Sequence, residues 1–269
     1  MLYVVKKEPT NSTPFVSIIT PLFNAEKYIA QTIQSVQDQR YENWEHIIVN
    51  DHSSDTSEEI VREIALKDSR IKLVSLKENH GAAYCRNHAT KLANGEYIAF
   101  LDSDDVWQAD KLWKQIAFMQ SEDCDVSFTS YLHMDEKGKP LGKRIRALSV
   151  LPYKKQLRNN YIGNLTGIYS AKNLGKIMAP PIRKRQDWAV WLAAIKKSGK
   201  PALGLGEDLA YYRVREGSMS SNKLALVPYN FKFYRGYLGY SWWGASIRLL
   251  LFFWEYFLVR PKQIENIML

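Results

Sequence analysis

The segment Leu101–Asp105 reads LDSDD and places Asp102, Asp104 and Asp105 within four consecutive positions. Carboxylates this close repel one another, so the cluster is costly unless a cation or a set of donors compensates it. Asp102 and Asp104 flank Ser103 and can face one ligand. Oxygen-only donors suit Mg²⁺ or Mn²⁺, which commonly bind through one or two carboxylates together with phosphate oxygens. A solvated acidic turn is the plainer alternative. A calcium EF-hand loop does not fit, because its glycine and its later glutamate are both missing. A phosphatase-type DxDx(T/V) fits Asp102, Asp104 and Val106, but that motif usually follows a first strand and this run follows a fourth.

Three further stretches carry chemistry. In IIVNDHSSD (Ile47–Asp55), Asp51 stands just past a strand and can accept a hydrogen bond from a base N–H, while Asp55 reads as a helix N-cap. In NHGAAYCRNHA (Asn79–Ala89), Gly81 permits close backbone approach, and Arg86 and Asn87 lie one to two turns into the helix that follows. Arg86 is either a surface arginine or a partner for a diphosphate. In KRQDWAVWL (Lys184–Leu192), Asp187 opens a Trp-rich helix. It is either a helix cap or a base held between a positive helix terminus and aromatic walls.

The elements that must position these residues follow from the periodicity. Val16–Thr20 reads as a strand stopped by Pro21, and Asn24 as the N-cap of a helix carrying Tyr28, Ile29, Ile33 and Val36. A strand ending at Asn50, a helix with Ile60, Val61 and Ile64, a strand IKLVSL, a helix from Gly81 to Leu92 and a strand EYIAFLD follow in turn. This alternation predicts βαβ units and a mostly parallel, doubly wound sheet, with ligands at the carboxyl ends of the strands, where the polar clusters fall. Beyond residue 110 the pattern weakens: Asp110 reads as capping a helix through Met119, Asp125–Tyr131 as a strand, Asp135–Gly138 as a turn, Gln186–Lys197 as a helix, and Ala202–Leu205 and Leu209–Val214 as two short strands.

Composition sets outer bounds. The 269 residues are 46% hydrophobic and 24% charged, which excludes collagen-like and wholly disordered classes. Two cysteines, Cys85 and Cys124, exclude a disulfide scaffold and an all-cysteine zinc site and fit a reducing compartment. A net charge of +9 points to anionic partners. The N-terminal MLYVVKKEPTNSTP has no apolar run of signal-peptide length.

The ordered set VSIITPLFNAEKYIAQTIQSV, IIVNDHSSD, NHGAAYCRNHA, GEYIAFLDSDD, RQDWAVWL and YYRVREGSMSSNK, over roughly residues 15–223, resembles family 2 glycosyltransferases of the GT-A fold. Within the family it is most similar to bacterial surface-polysaccharide transferases of the teichuronic-acid and O-antigen types. The resemblance implies a Rossmann-like, mostly parallel sheet with helices on both faces and a C-terminal helical appendage. It implies a nucleotide-sugar donor, usually a UDP-sugar, with Thr20, Pro21 and Asp51 holding the uridine. Asp102 would contact the ribose or the cation region, and Asp104 would ligand the Mn²⁺ or Mg²⁺ that bridges the diphosphate. Arg86 would stand near the donor sugar or diphosphate, Asp187 would be the catalytic base, and Arg213 and Ser220 would approach the diphosphate. Two positions depart from the pattern. His52 stands where the family usually has glycine, and Gln186 where many members have glutamate, so Asp187 acts without an adjacent carboxylate.

Residues 1–14 are expected as an extension and 15–223 as the transferase domain, with 15–109 its nucleotide-sugar half and 110–223 its acceptor half. Residues 224–269 form an aromatic, basic helical segment. From Trp242 to Val259 its only charges are Arg248 and Glu255, seven apart and on one helical face with Ser241. A narrow polar stripe, many Trp and Phe residues and flanking Lys232, Arg235, Arg260 and Lys262 suit a helix lying in a membrane interface. A spanning helix needs ~20 apolar residues, and a core or dimer helix is the other alternative. No RNA-binding motif accompanies the basic and aromatic residues, so nucleic acid is not expected as a partner.

The expectation is an inverting, hexosyltransferase-type enzyme at the cytoplasmic face of the membrane. It adds one sugar to a polyprenyl-diphosphate-linked or other saccharide acceptor during cell-surface polysaccharide synthesis. The alternatives are a catalytically silent scaffold of the same fold, kept open by His52 and Gln186, and a nucleotidyl- or phosphotransferase using the same acidic cluster.

Overall fold

The computed structural model describes residues 13–215 and 227–267. It begins with β1 (Val16–Leu22), α1 (Ile29–Gln37), β2 (Trp44–Asn50), α2 (Ser57–Ala65), β3 (Ile71–Ser75), α3 (Ala82–Leu92) and β4 (Tyr97–Phe100). The four strands pair in parallel in the order β4-β1-β2-β3. Their apolar runs are nearly continuous because both faces are covered. Ile18 and Ile48 pack with Ile29 and Ile33 of α1 and Val61 of α2, whereas Ile19, Ile47 and Val49 pack with Cys85 and Ala89 of α3.

Beyond β4 the sheet becomes mixed. The chain continues through β5 (Val106–Trp107), α4 (Lys111–Ser121), β6 (Val126–Met134), β7 (Pro140–Ile145), β8 (Val150–Leu151), α5 (Tyr153–Gln156), β9 (Ile168–Ser170), α6 (Ala171–Leu174), α7 (Gln186–Ser198) and β10 (Ala202–Arg213). Strand β9 lies antiparallel to β4 and to β6, and β10 runs parallel to β6. The two short strands expected at Ala202–Leu205 and Leu209–Val214 are one strand, β10. Register shifts between Leu205 and Tyr211 interrupt its pattern.

Helix α7 is buried on two sides. Trp191, Val190 and Ala194 meet the sheet core, and Trp188, Ala189 and Leu192 meet α8 (Val227–Lys232), a π-helical turn (Phe233–Tyr237) and α9 (Trp242–Trp254). Trp188 stacks on Phe233 with ring centroids 4.7 Å apart and lies 6.0 Å from Phe252. Removing a tryptophan so placed costs roughly 3–5 kcal/mol. Gly167 permits the approach of Trp191, since a Cβ there would lie 2.2 Å from the indole. After α9 comes a second π-helical turn (Glu255–Val259), and β11 (Ile264–Asn266) pairs antiparallel with β7 at the edge of the sheet. Among the described residues no helix is long and apolar enough to cross a membrane.

Several local expectations are revised. Pro21 does not stop β1, which runs to Leu22 with Pro21 opposite Val49. Its missing N–H costs nothing because pairing with β4 reaches only Ile19. Asn24 caps no helix. It takes a positive φ of 47° and its Oδ1 accepts from Ser54 N at 2.9 Å, tying the loop after β1 to the loop after β2. Asp110 occupies the N-cap of α4 without a capping bond and pairs instead with Arg40 at 2.9 Å. Glu255, expected on a polar outward stripe, is buried and ion-paired with Lys155.

Candidate active site

The acidic run begins where β4 ends, as Leu101 N donates to Ile19 O at 3.0 Å. It is tied down from both sides. Thr32 of α1 donates its hydroxyl to Ser103 O at 3.0 Å and to Asp105 O at 2.8 Å. Arg213 N, at the end of β10, donates to Asp105 Oδ1 at 2.9 Å. Asp105 is thus the buried anchor of the loop. Burial first, then the charges of Asp104 and Asp102, push its carboxyl well above the usual carboxylate range. Asp102 and Asp104 keep partial exposure.

Each of these two carboxylates meets an arginine from elsewhere in the chain. Arg86 of α3 donates Nη2 to Asp102 Oδ1 at 2.6 Å, and Asn164 Nδ2 reaches the same oxygen at 3.1 Å. Arg215 Nη2 lies 2.7 Å from Asp104 Oδ2. Burial raises the Asp104 carboxyl, Arg215 draws it down and Asp102 raises it again, leaving it above its ordinary value. Burial opposes the charge on Arg86, but Asp102 and then Asp187 outweigh it and raise the guanidinium pKa.

Arg86 also connects the strand end to α7. Its Nη1 donates to Gln186 Oε1 at 3.3 Å, and Gln186 Nε2 donates to Ile182 O at 2.6 Å. Asp187 stands one residue further into the helix. Asn160 Nδ2 donates to Asp187 Oδ2 at 2.7 Å, and Gln156 Nε2 donates to Asn160 Oδ1 at 2.8 Å. Gln156 is held by the Trp188 indole N–H on its carbonyl at 2.7 Å, so this relay is anchored in the core. Arg185, just before the helix, has φ 71° and ψ 20°, a left-handed turn that sets the direction in which Gln186 and Asp187 leave the loop. Arg86, Asn164, Gln186 and Asp187 line one recess, with Phe100 and Val190 among its apolar walls.

The remaining anticipated residues have other positions. Both oxygens of the buried Asp51 are engaged by backbone, accepting from His80 N at 2.7 Å and Gly81 N at 2.8 Å, so Asp51 shapes the turn that starts α3. Gly81 adopts φ 86° there. The Thr20 hydroxyl is buried and pairs with His46 Nε2 at 2.8 Å, and Pro21 is half-buried. Arg213 is 2% exposed, with its guanidinium donating to Asp104 O at 2.7 Å, Glu136 O at 2.9 Å and Gln31 Oε1 at 2.6 Å. Ser220 lies outside the described residues. His52 takes φ 61°, so the position where glycine is usual keeps its left-handed backbone with a histidine in it.

The residues that sequence reasoning missed are Arg215, Asn160 and Asn164. Arg213 and Arg215 stand two apart at the end of an alternating run, a spacing that sends both to one side of a strand. No comparable signal marks the asparagines.

Asp102 and Asp104 offer the oxygen-only donors that Mg²⁺ or Mn²⁺ take, with the other positions left to phosphate and water. They fit such an ion on one observation: each already draws a cationic partner, and Asp104 is raised by burial and by its neighbour. Among the described residues no group of three or more His, Cys, Asp or Glu is placed to hold a metal ion.

Comparisons with known proteins identify the family and the fold. The sequence profile of glycosyl transferase family 2 matches residues 17–176. A relative from Bacillus subtilis (strain 168), TuaG, provisionally named as a teichuronic acid biosynthesis glycosyltransferase, is 48% identical over 80% of this chain and 84% of its own. An Escherichia coli relative, UDP-Glc:alpha-D-GlcNAc-diphosphoundecaprenol beta-1,3-glucosyltransferase WfgD, is 39% identical over 77% of this chain and 80% of its own. Among solved structures, S. aureus TarS 1-349 in complex with UDP-GlcNAc superposes with a TM-score of 0.68 at 22% identity, covering 92% of this chain and 74% of that one. The Pyrobaculum calidifontis mannosyltransferase PcManGT, in complex with GDP-Man and Mn²⁺, gives a TM-score of 0.66 at 17% identity, covering 96% and 75%. These structural likenesses show a shared GT-A fold.

Proposed function

The chain belongs to glycosyl transferase family 2 and is a glycosyltransferase, and on that premise we propose that it moves a sugar from a UDP-sugar to a lipid-linked saccharide during cell-surface polysaccharide synthesis, with inversion at the anomeric carbon. The observation that carries this reading is the recess in which Arg86, Asn164, Gln186 and Asp187 meet, joined through Arg86 to Asp102. A relative acting on a diphosphoundecaprenol-linked acceptor supports the acceptor class. A solved neighbour carrying UDP-GlcNAc supports the donor class.

The chemistry follows from these side chains. Asp187 accepts the proton of the acceptor hydroxyl as its oxygen bonds to the anomeric carbon. The bond from that carbon to the nucleoside diphosphate breaks, and the leaving oxygen takes the electron pair. A single base on one face with the leaving group on the other requires inversion, so an α-linked donor yields a β-linkage. Arg86 stabilises charge on the departing diphosphate and keeps Asp102 oriented. Asn160 fixes the rotamer of Asp187. Asp102 and Asp104 would hold Mn²⁺ or Mg²⁺, which when bound offsets the negative charge of the diphosphate.

The enzyme would work peripherally at the cytoplasmic membrane face. Helix α9 supports this by turning outward Trp243 (75% exposed), Ile247 (58%), Leu250 (68%) and Trp254 (61%), four residues at helical spacing. Incubation of the protein with Mn²⁺, a panel of UDP-sugars and GlcNAc-diphosphate on a short alkyl tail tests the whole reading. Transfer from at least one donor is expected, and absence of transfer from all of them would reject the proposed substrates.

A further inference from the structure

A second recess opens where the loop before α7 meets α8. It encloses about 330 Å³ and is lined by Ile182, Arg183, Lys184, Tyr229, Lys232 and Phe233. Half of these side chains are cationic and none is acidic. Ile182 and the buried Phe233 give it an apolar base. The Lys184 ammonium lies 4.9 Å from the centre of the Tyr229 ring, so an aromatic face helps to hold that charge at the wall. Arg183 and Lys232 are exposed. A concave surface presenting three cations favours a compact, multiply charged anion.

Its position narrows the choice. Ile182 O accepts from Gln186 Nε2 at 2.6 Å, so one wall of the recess and the residue beside Asp187 belong to the same turn. Phe231, on the same helix α8 as the lining residues Tyr229 and Lys232, packs edge-on against Trp242 at 6.1 Å, where α9 begins to expose its aromatic face. The turn that carries Gln186 and Asp187, the cationic recess and the start of the exposed α9 face are thus contiguous through these contacts. A ligand with the matching order has a hydroxylated sugar, then a diphosphate, then a hydrocarbon chain.

We propose that this recess binds the diphosphate of the lipid-linked acceptor, separately from the donor diphosphate at Asp102 and Asp104. The proposal rests on the acceptor class given under Proposed function. Anionic phospholipid headgroups share the phosphate chemistry, but a common one such as phosphatidylglycerol offers a single phosphodiester of one negative charge, which three cations match less well than a diphosphate.

The test uses the full chain and short-chain alkyl diphosphate as probe, with alkyl monophosphate alongside, measured by titration calorimetry. The wild type should bind the diphosphate more tightly than the monophosphate. Lys184→Gln/Lys232→Gln should weaken the diphosphate by roughly tenfold or more, while UDP binding with Mn²⁺ is unchanged. Lys232→Gln alone, at an exposed side chain, should show a smaller loss in the same direction and serves if the double variant fails to fold. Equal diphosphate affinity in wild type and variants would overturn the proposal. So would a loss confined to binding of phosphatidylglycerol vesicles, which would make the recess a headgroup site. Diphosphate binding that depends on these lysines, in a wild type that transfers no sugar to alkyl-diphosphate GlcNAc, would uphold the recess and reject the acceptor reading instead.

Discussion

Arg86 and Asp102 form a 2.6 Å ion pair between the third helix and the loop after the fourth strand, with only 14% of the arginine side chain exposed. This pair joins the two parts of the proposed active site, because the same guanidinium reaches Gln186, next to Asp187. A planar fork can bridge two acceptors where a point charge cannot. Arg86→Lys should therefore keep the charge and still lower kcat by roughly 10²-fold. Steady-state kinetics with saturating donor check this, and near-normal turnover would show that the bridge is dispensable.

Asp104 and Asp102 are proposed to share the divalent ion with the donor. Asp104→Asn should reduce UDP affinity in Mn²⁺ by at least the ~10-fold that loss of an outer metal partner costs. UDP binding in chelator should be little altered. Titration calorimetry in both conditions reads the difference, and an identical loss in chelator would assign Asp104 to the fold instead.

Membrane docking is best probed on the outward face of α9, because truncation would remove core. Ala245, Phe252 and Glu255 are buried, and β11 pairs with the sheet beyond them. Trp243→Ser/Leu250→Ser/Trp254→Ser should lower partition onto bilayer vesicles by roughly tenfold or more, with an unchanged unfolding midpoint in urea. Undiminished partition would exclude this face as the membrane contact.

His46 gives a pH signature. Burial pushes its imidazole from 6.5 down to about 3, and it stays neutral beside Thr20. The unfolded chain takes up a proton below pH 6.5 while the folded chain does not. Stability from this group is therefore complete above pH 6.5 and is lost as pH falls toward 3, at about 1.4 kcal/mol per unit. Between pH 6.5 and pH 5 the wild type should lose about 2 kcal/mol more than His46→Gln. Parallel losses in urea unfolding would show that His46 does not titrate on unfolding.

Much of this was legible in the sequence, and the exceptions have physical causes. The alternation of apolar runs predicts β1 to β4 and α1 to α3, because each run buries a face of fixed period. The strand-end position of the acidic loop follows from the same pattern, whereas the site role expected of Arg86 comes from the family resemblance. Arg213, expected from the resemblance to approach the diphosphate, holds the loop and the α1 face, and Arg215, which no expectation singled out, meets Asp104. Asn160 lies 27 residues before Asp187 and Asn164 lies 62 residues after Asp102, and contacts over such separations leave no local periodicity. Glu255 reads as surface because its partners, Lys155 and Arg158, stand far back in the chain.

The most direct measurement compares sugar transfer by wild type and Asp187→Asn under single turnover, with UDP affinity measured on the same samples. If Asp187 is the base, the variant should transfer slower by roughly 10²–10⁴-fold and bind UDP with Mn²⁺ as tightly as the wild type. Transfer near the wild-type rate, or a loss of UDP affinity equal to the loss of transfer, would contradict that role.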